Sequence, residues 1–167
     1  MKRKILLLIM ILIMLYTGLP RPTYQKDNPF ISKDGYPLVM AHAGGKGVYP
    51  DNTMKAFKYA YDLVVDVLEM DVQLTSDDVL VLLHGENETG NTRSHSNCDT
   101  VVWNETYTYL KETCNFGYYF EEPDGTLLYQ GLSKEQWIDE EVYLPTLEEV
   151  FTAFGSNILY NIEIKAD

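Results

Sequence analysis

Two acidic residues interrupt one of the most apolar stretches of the sequence, VLEMDVQL at residues 67–74. Glu69 and Asp71 are two residues apart, so on a β-strand their side chains point to the same face. Neighbouring carboxylates repel each other, and burying them without a partner is costly. We therefore expect a cation or a shared proton beside this pair.

Four further polar residues end other apolar segments. His42 ends PLVMAH, His84 ends VLVLLH, and Glu163 and Lys165 end ILYNIEIK. Continuous apolar segments that alternate with helical patterns are typical of a parallel sheet covered by helices. Such folds carry their chemistry at the carboxyl ends of the strands. The sequence therefore predicts one shared site on four successive strands.

Each of these residues also has a structural interpretation. A histidine at a strand end is often only a hydrogen-bonded structural residue. Glu163 and Lys165 could simply form an ion pair with each other, and Glu69 and Asp71 could lie half exposed at a sheet edge. The repetition on four segments favours a functional site for the set.

Two helices are predicted between these strands. After PDNT, Met54, Phe57, Tyr61 and Val64 recur at helical spacing, and Asp51 or Asn52 can cap that helix. The segment LPTLEEVFTAFG, residues 144–155, has a proline at its start and a glycine at its end, which is typical of helix boundaries.

Residues 85–144 show weak periodicity and much Tyr, Asn and Gly. Because this segment directly follows His84, we predict an insertion near the active site that bears Trp103, Tyr118 and Tyr119 and shapes the pocket of that site. The alternative is a surface loop that serves only solubility.

The composition limits the classes of function. The chain has 167 residues, 46% of them hydrophobic, which is enough for one globular core. A net charge of -12, from 25 acidic and 13 basic residues, argues against nucleic-acid binding and is compatible with a bound divalent cation. Cys98 and Cys114 could form a disulfide or remain two buried thiols.

The N-terminus has the pattern of a targeting segment. Lys2, Arg3 and Lys4 precede an uncharged run over residues 5–19. This pattern predicts a signal anchor or signal peptide over residues 1–20, followed by a linker over 21–36. We expect an uncleaved transmembrane helix that attaches the protein to a membrane with its catalytic domain outside the cytoplasm. The alternative is a secreted protein.

Four segments together resemble the glycerophosphodiester phosphodiesterase family. They are HAGGKGVYPDNTMKAF, LEMDVQLTSDDVLVLLH, LPTLEEVF and NIEIK, in this order. The resemblance implies an α/β fold of the TIM (β/α)8 barrel type. A complete barrel has ~250 residues, so this chain would hold about its first four strands, in a partial domain over residues 37–167, preceded by the N-terminal hydrophobic helix.

The resemblance also implies an activity and residue roles. The family hydrolyses glycerophosphodiesters, as small-molecule substrates in lipid metabolism, to an alcohol and glycerol 3-phosphate. Glu69, Asp71 and Glu163 match its ligands for one divalent cation, Ca²⁺ or Mg²⁺. His42 and His84 match its acid–base pair, which we assign as base and acid respectively. Lys165 matches a basic residue beside the phosphate.

The sequence departs from the family pattern at three positions. Ala43 stands where the family has an arginine, so one bidentate phosphate contact is missing. Asp51 replaces the glutamate of the usual PENT, and Gly85 replaces an aspartate after the second histidine. Two alternatives follow: a truncated, membrane-anchored remnant that binds phosphoglycerol groups without turnover, or a phospholipase D-like lipid hydrolase of the same superfamily.

Overall fold

The computed structural model describes residues 2–18, 28–32, 34–86 and 89–165. The chain divides into two compact units, Met1–Ile31 and Ser32–Asp167. Half of the predicted linker, residues 21–27 together with residue 33, lies outside the described residues.

The first unit contains helix α1, Lys2–Gly18, which has 17 residues. Among the helices of the described residues, none is both long enough and apolar enough to cross a membrane. The predicted transmembrane helix, signal anchor and membrane contact are therefore not supported. The predicted localisation, membrane-anchored with the catalytic domain outside the cytoplasm or secreted, is contradicted by the same finding.

The second unit is built on a sheet whose central strand is β2. Its strands are β1 (Met40–Ala41), β2 (Val67–Leu74), β3 (Leu80–Leu82) and β4 (Leu159–Ile164). β1 pairs in parallel with the start of β2, and β4 pairs in parallel with β2 from Val67 to Val72. β2 is therefore hydrogen-bonded to each of the other three strands.

The direction of β3 differs from the prediction. β3 runs antiparallel to β2, with Val72 opposite Leu82 and Leu74 opposite Leu80. The connection between the two strands is a short turn in which Thr75 accepts a hydrogen bond from Val79 N, 3.0 Å away. A parallel crossover needs a dozen or more residues, so this turn could only return the chain. The parallel strands are thus β1, β2 and β4, and the expectation of four was wrong for β3.

Two helices cover one face of the sheet. Helix α2, Met54–Asp62, is capped by the Thr53 side chain rather than by Asp51 or Asn52. A later helix, Leu147–Phe154, begins with a capping box between Thr146 and Glu149. The core between these helices and the strands contains Met54, Phe57, Ala60, Leu68, Met70, Val72, Leu82, Val150, Phe154 and Ile158. Burial of this apolar face fixes which side of β2 is left for Glu69 and Asp71.

The segment between β3 and that later helix folds around cores of its own. It contains helix α3 (Tyr107–Thr113) and helix α4 (Lys134–Asp139), and the later helix Leu147–Phe154 is α5. Cys98 and Cys114 form a disulfide, with their Cα atoms 5.5 Å apart. The segment leaves and rejoins the sheet at one place, because Leu82 N donates to Pro145 O at 3.0 Å. It is therefore an excursion with adjacent ends.

Candidate active site and metal centre

The strand pairing brings three carboxylates together. Glu69 and Asp71 lie on the same face of β2, and Asp71 is in register with Glu163 on β4. Each of the three residues offers a carboxylate oxygen within 4.8 Å of the other two. The parallel register therefore produces the cluster that the sequence predicts.

This cluster fits a hard divalent cation. Three carboxylates are the oxygen ligands that Ca²⁺ and Mg²⁺ prefer. Opposite ligands of Ca²⁺ lie about 5 Å apart and those of Mg²⁺ about 4 Å apart, from their usual bond lengths. The observed spacing of the oxygens is of that size. Glu69, Asp71 and Glu163 are thus the residues that would hold the ion.

Asn52 forms two hydrogen bonds with Asp71. Its Nδ2 donates to Asp71 Oδ2 at 2.9 Å, and its Oδ1 accepts from Asp71 N at 3.2 Å. Asn52 is buried and has a left-handed backbone, with φ 56°. Sequence reasoning identified Asn52 only as a possible helix cap. Its one signal was its residue type, because asparagine tolerates the left-handed region better than most residues.

Lys165 lies against the cluster. Its Nζ is 3.2 Å from Asp71 Oδ1 and 2.5 Å from Glu163 Oε1. Burial alone would lower the pKa of Lys165, but its hydrogen bonds to Glu163 and Asp71 raise the pKa above its ordinary value. Lys165 therefore carries a positive charge beside the carboxylates.

The first predicted histidine reaches the cluster. His42 Nε2 is 3.9 Å from Glu69 Oε2, and the His42 side chain is 65% exposed. The neighbouring Ala43 N donates to the same Glu69 oxygen at 2.7 Å. Position 43 is buried, so in this chain the backbone rather than a long side chain contacts the site.

The second predicted histidine is held by its backbone. Leu83 N donates to Asp71 O at 2.9 Å, which places the end of β3 alongside β2. Gln73 Nε2 donates to the carbonyls of Leu83 and His84, at 2.9 and 3.2 Å. His84 Nδ1 donates to Gly85 O at 2.9 Å, so Nε2 is the nitrogen left to exchange a proton. Gln73 is a positioning residue that sequence reasoning missed.

The part of the chain that the structure describes shows no contact between the His84 ring and the three carboxylates. His84 is thus joined to the site through Asp71 and Gln73, whereas His42 approaches Glu69 directly.

The aromatic residues predicted in the insertion have different surroundings. Tyr119 lines a cavity of about 280 Å³ together with residues of the loop that follows His42, and its ring packs edge-on against Tyr118. Trp103 lies against Gly90, where any side chain would collide with its ring. The role of the insertion in shaping an alcohol pocket stays a prediction.

Comparison with known proteins identifies the protein family to which this chain belongs. Residues 42–167 match the Glycerophosphoryl diester phosphodiesterase family. The match covers most of the chain and includes every predicted site residue. The protein belongs to this family.

The chain is similar to one curated relative at 36% identity over 130 residues. That relative is a glycerophosphodiester phosphodiesterase from Caldanaerobacter subterraneus subsp. tengcongensis; the match covers 77% of this chain and 45% of the relative. Against three such curated relatives, this chain spans 40%, 44% and 45% of their length. The chain thus corresponds to less than half of the proteins that it resembles.

Solved structures support the fold. The glycerophosphoryl diester phosphodiesterase domain of a Mycobacterium tuberculosis protein superposes with a TM-score of 0.62 at 24% identity, covering 77% of this chain and 43% of that one. A phosphodiesterase from Oleispira antarctica, solved in complex with the product sn-glycerol-3-phosphate, gives a TM-score of 0.55 at 23% identity, covering 77% and 44%. The α/β fold with its partial sheet is therefore of the TIM-barrel type found in this family.

Proposed function

We propose that the protein hydrolyses glycerophosphodiesters to an alcohol and glycerol 3-phosphate, with one Ca²⁺ or Mg²⁺ held by Glu69, Asp71 and Glu163. The observation that carries this proposal is the convergence of those three carboxylates beside His42 in a chain of this family. The Oleispira antarctica phosphodiesterase, solved with sn-glycerol-3-phosphate, supports the choice of product.

Some residues of the site offset charge, and the two histidines transfer protons. When bound, the cation would supply Lewis-acid polarisation of the phosphoryl oxygens. Lys165 offsets the negative charge of the phosphate. His42 accepts a proton from the attacking water as the new P–O bond forms. His84 donates a proton from Nε2 to the alcohol oxygen as the second P–O bond breaks. Asn52, Gln73 and the Ala43 N–H position these groups.

The test is an assay of the full chain on glycerophosphocholine and glycerophosphoethanolamine, with Ca²⁺, with Mg²⁺ and with chelator. We expect turnover only with a divalent cation, and its loss in Asp71→Asn. Asp139→Asn, at an exposed position in α4, is the matched control and should retain full activity.

The two histidine roles are separated by the leaving group. In a p-nitrophenyl ester of glycerol phosphate, the leaving group is p-nitrophenolate, which departs without protonation. His84→Ala should therefore lose much more activity on glycerophosphocholine than on this ester. His42→Ala should lose activity on both. Activity that survives chelator, or that is indifferent to both histidines, would refute the mechanism. Binding of glycerol 3-phosphate without any turnover would instead support a non-catalytic remnant.

A further inference from the structure

The cavity that Tyr119 lines has several charged and polar side chains in its walls. Its volume is about 280 Å³, and it lies between the loop of residues 46–51 and the insertion. Its lining includes Lys46, Asp51, Ser94, His95, Tyr119 and Glu121. The residue roles that the family resemblance assigns do not include any of these side chains.

Asp51 is the charged centre of this cavity. Its Oδ2 lies 3.6 Å from His95 Nε2 and 3.7 Å from Lys46 Nζ. Burial alone would raise the pKa of Asp51, but the hydrogen bond and charge of His95 and the charge of Lys46 lower it below its ordinary value. Asp51 is therefore ionised at neutral pH and already faces two basic groups.

The remaining walls add hydrogen-bonding groups and an aromatic surface. The Ser94 hydroxyl is 2.9 Å from His95 Nδ1, and the His95 side chain is only 16% exposed. Tyr119 is half exposed, with its ring held edge-on against Tyr118. Glu121 supplies a second, exposed carboxylate. The cavity thus combines donors, acceptors and one accessible aromatic ring.

The cavity shares a loop with His42 and with Asn52, the residue that holds Asp71. Lys46 N donates to His42 O at 3.4 Å, and Asp51 immediately precedes Asn52, which holds Asp71. On the opposite wall, Ser94 and His95 belong to the insertion that begins directly after His84.

We propose that this cavity is the subsite for the leaving alcohol and that it takes a polyhydroxylated head group, such as glycerol or an inositol. The proposal rests on the proposed function. Hydroxyl groups can accept from Lys46 and His95 while they donate to Asp51, and the apolar face of a polyol ring can pack on Tyr119. A quaternary ammonium group would have to approach Asp51 beside the Lys46 ammonium, which repels it.

The binding test needs no turnover. The full chain in chelator is probed by saturation-transfer NMR with myo-inositol and, separately, with choline. We expect transfer to myo-inositol that falls at least about threefold in Lys46→Ala and in Tyr119→Ala, as for the loss of one modest contact. Lys134→Ala is the matched control, because Lys134 forms an exposed ion pair with Glu112 at 3.3 Å outside this cavity. The control should match the unsubstituted protein.

The turnover test measures kcat/KM on glycerophosphoinositol and glycerophosphocholine. The ratio should favour glycerophosphoinositol and fall about tenfold in Lys46→Ala or His95→Ala, the effect of one hydrogen bond to a charged group. Lys134→Ala should leave the ratio unchanged.

The outcomes separate this proposal from the proposed function. Specific myo-inositol binding without hydrolysis of any diester supports the subsite and refutes the activity. Cation-dependent hydrolysis with a substrate ratio indifferent to Lys46 and His95 refutes the subsite alone. Choline binding that equals or exceeds myo-inositol binding also overturns it.

Discussion

The two sides of the carboxylate cluster differ in how firmly they are held. On the β2 side, the Asp71 side chain is 2% exposed, and Asn52 binds both its carboxylate and its backbone N–H. The Glu69 side chain is 9% exposed and accepts from Ala43 N. On the β4 side, the Glu163 side chain is 54% exposed, and Lys165 is its one hydrogen-bond partner among the described residues. Among the described residues, the β2 ligands are thus fixed by several contacts, whereas Glu163 is held by Lys165 alone and is the adjustable ligand.

The cause is the position of each strand in the sheet. β2 is paired with β1, β3 and β4, and most of its residues are buried. β4 pairs with β2 and is largely exposed, with Ile164 at 77%.

The largest expected effect concerns cation affinity. Asp71→Asn should weaken Ca²⁺ binding by about a hundredfold or more, because a fixed charged ligand is lost. Glu163→Gln should weaken it by about tenfold, because water can replace an exposed ligand at smaller cost. Isothermal titration calorimetry measures both. Equal losses in the two variants would show that the fixed and adjustable sides do not differ in function.

The next effect concerns stability, and the chain offers one asparagine on each side. Asn52→Ala should lower the free energy of unfolding by about 3 kcal/mol, since it leaves buried Asp71 groups unpaired and puts alanine at positive φ. Asn161→Ala, on exposed β4, should cost about 0.5 kcal/mol or less. Urea unfolding gives both values. Asn52→Gly removes the φ strain and isolates the hydrogen bonds; a near-neutral result there would assign the loss to strain instead.

The smallest effect concerns Glu149, which joins helix α5 to helix α3 through Lys111 and Tyr107. Burial alone would raise the pKa of Glu149, but Lys111, Thr146 N and Tyr107 lower it below the ordinary 4.5. Because the folded pKa is the lower one, Glu149 stabilises the fold above pH 4.5 and loses that contribution as the pH falls through the folded pKa. The unfolding temperature should therefore fall less steeply between pH 6 and about pH 3 in Glu149→Gln, which retains a capping-box side chain. The exposed neighbour Glu148→Gln should match the unsubstituted protein, and an identical slope in all three would contradict this role.

Local patterns were enough to predict the carboxylate face. The alternation of side chains in VLEMDVQL puts Glu69 and Asp71 together whatever the rest of the chain does. The capping box of α5 is equally local, since Thr146 and Glu149 are three residues apart.

Features that depend on distant residues could not be predicted in this way. The direction of β3 follows from the short turn after β2, a signal that was present but was outweighed by the apolar character of the strand. Asn52 gains its role only from its contact with Asp71, which is 19 residues away in sequence. His95 gains its role only from its contact with Asp51, which is 44 residues away. The Cys98–Cys114 disulfide likewise required the fold of the insertion to bring the two residues together.

The hydrogen bond from Leu82 N to Pro145 O has an evolutionary consequence. Together with the bridge between Val81 and Thr146, it joins the two ends of the insertion beside the sheet. Segments with adjacent ends are the ones that proteins exchange, lengthen or replace without disturbing the host fold. The insertion can therefore be lengthened or exchanged without moving the strands that carry the carboxylates.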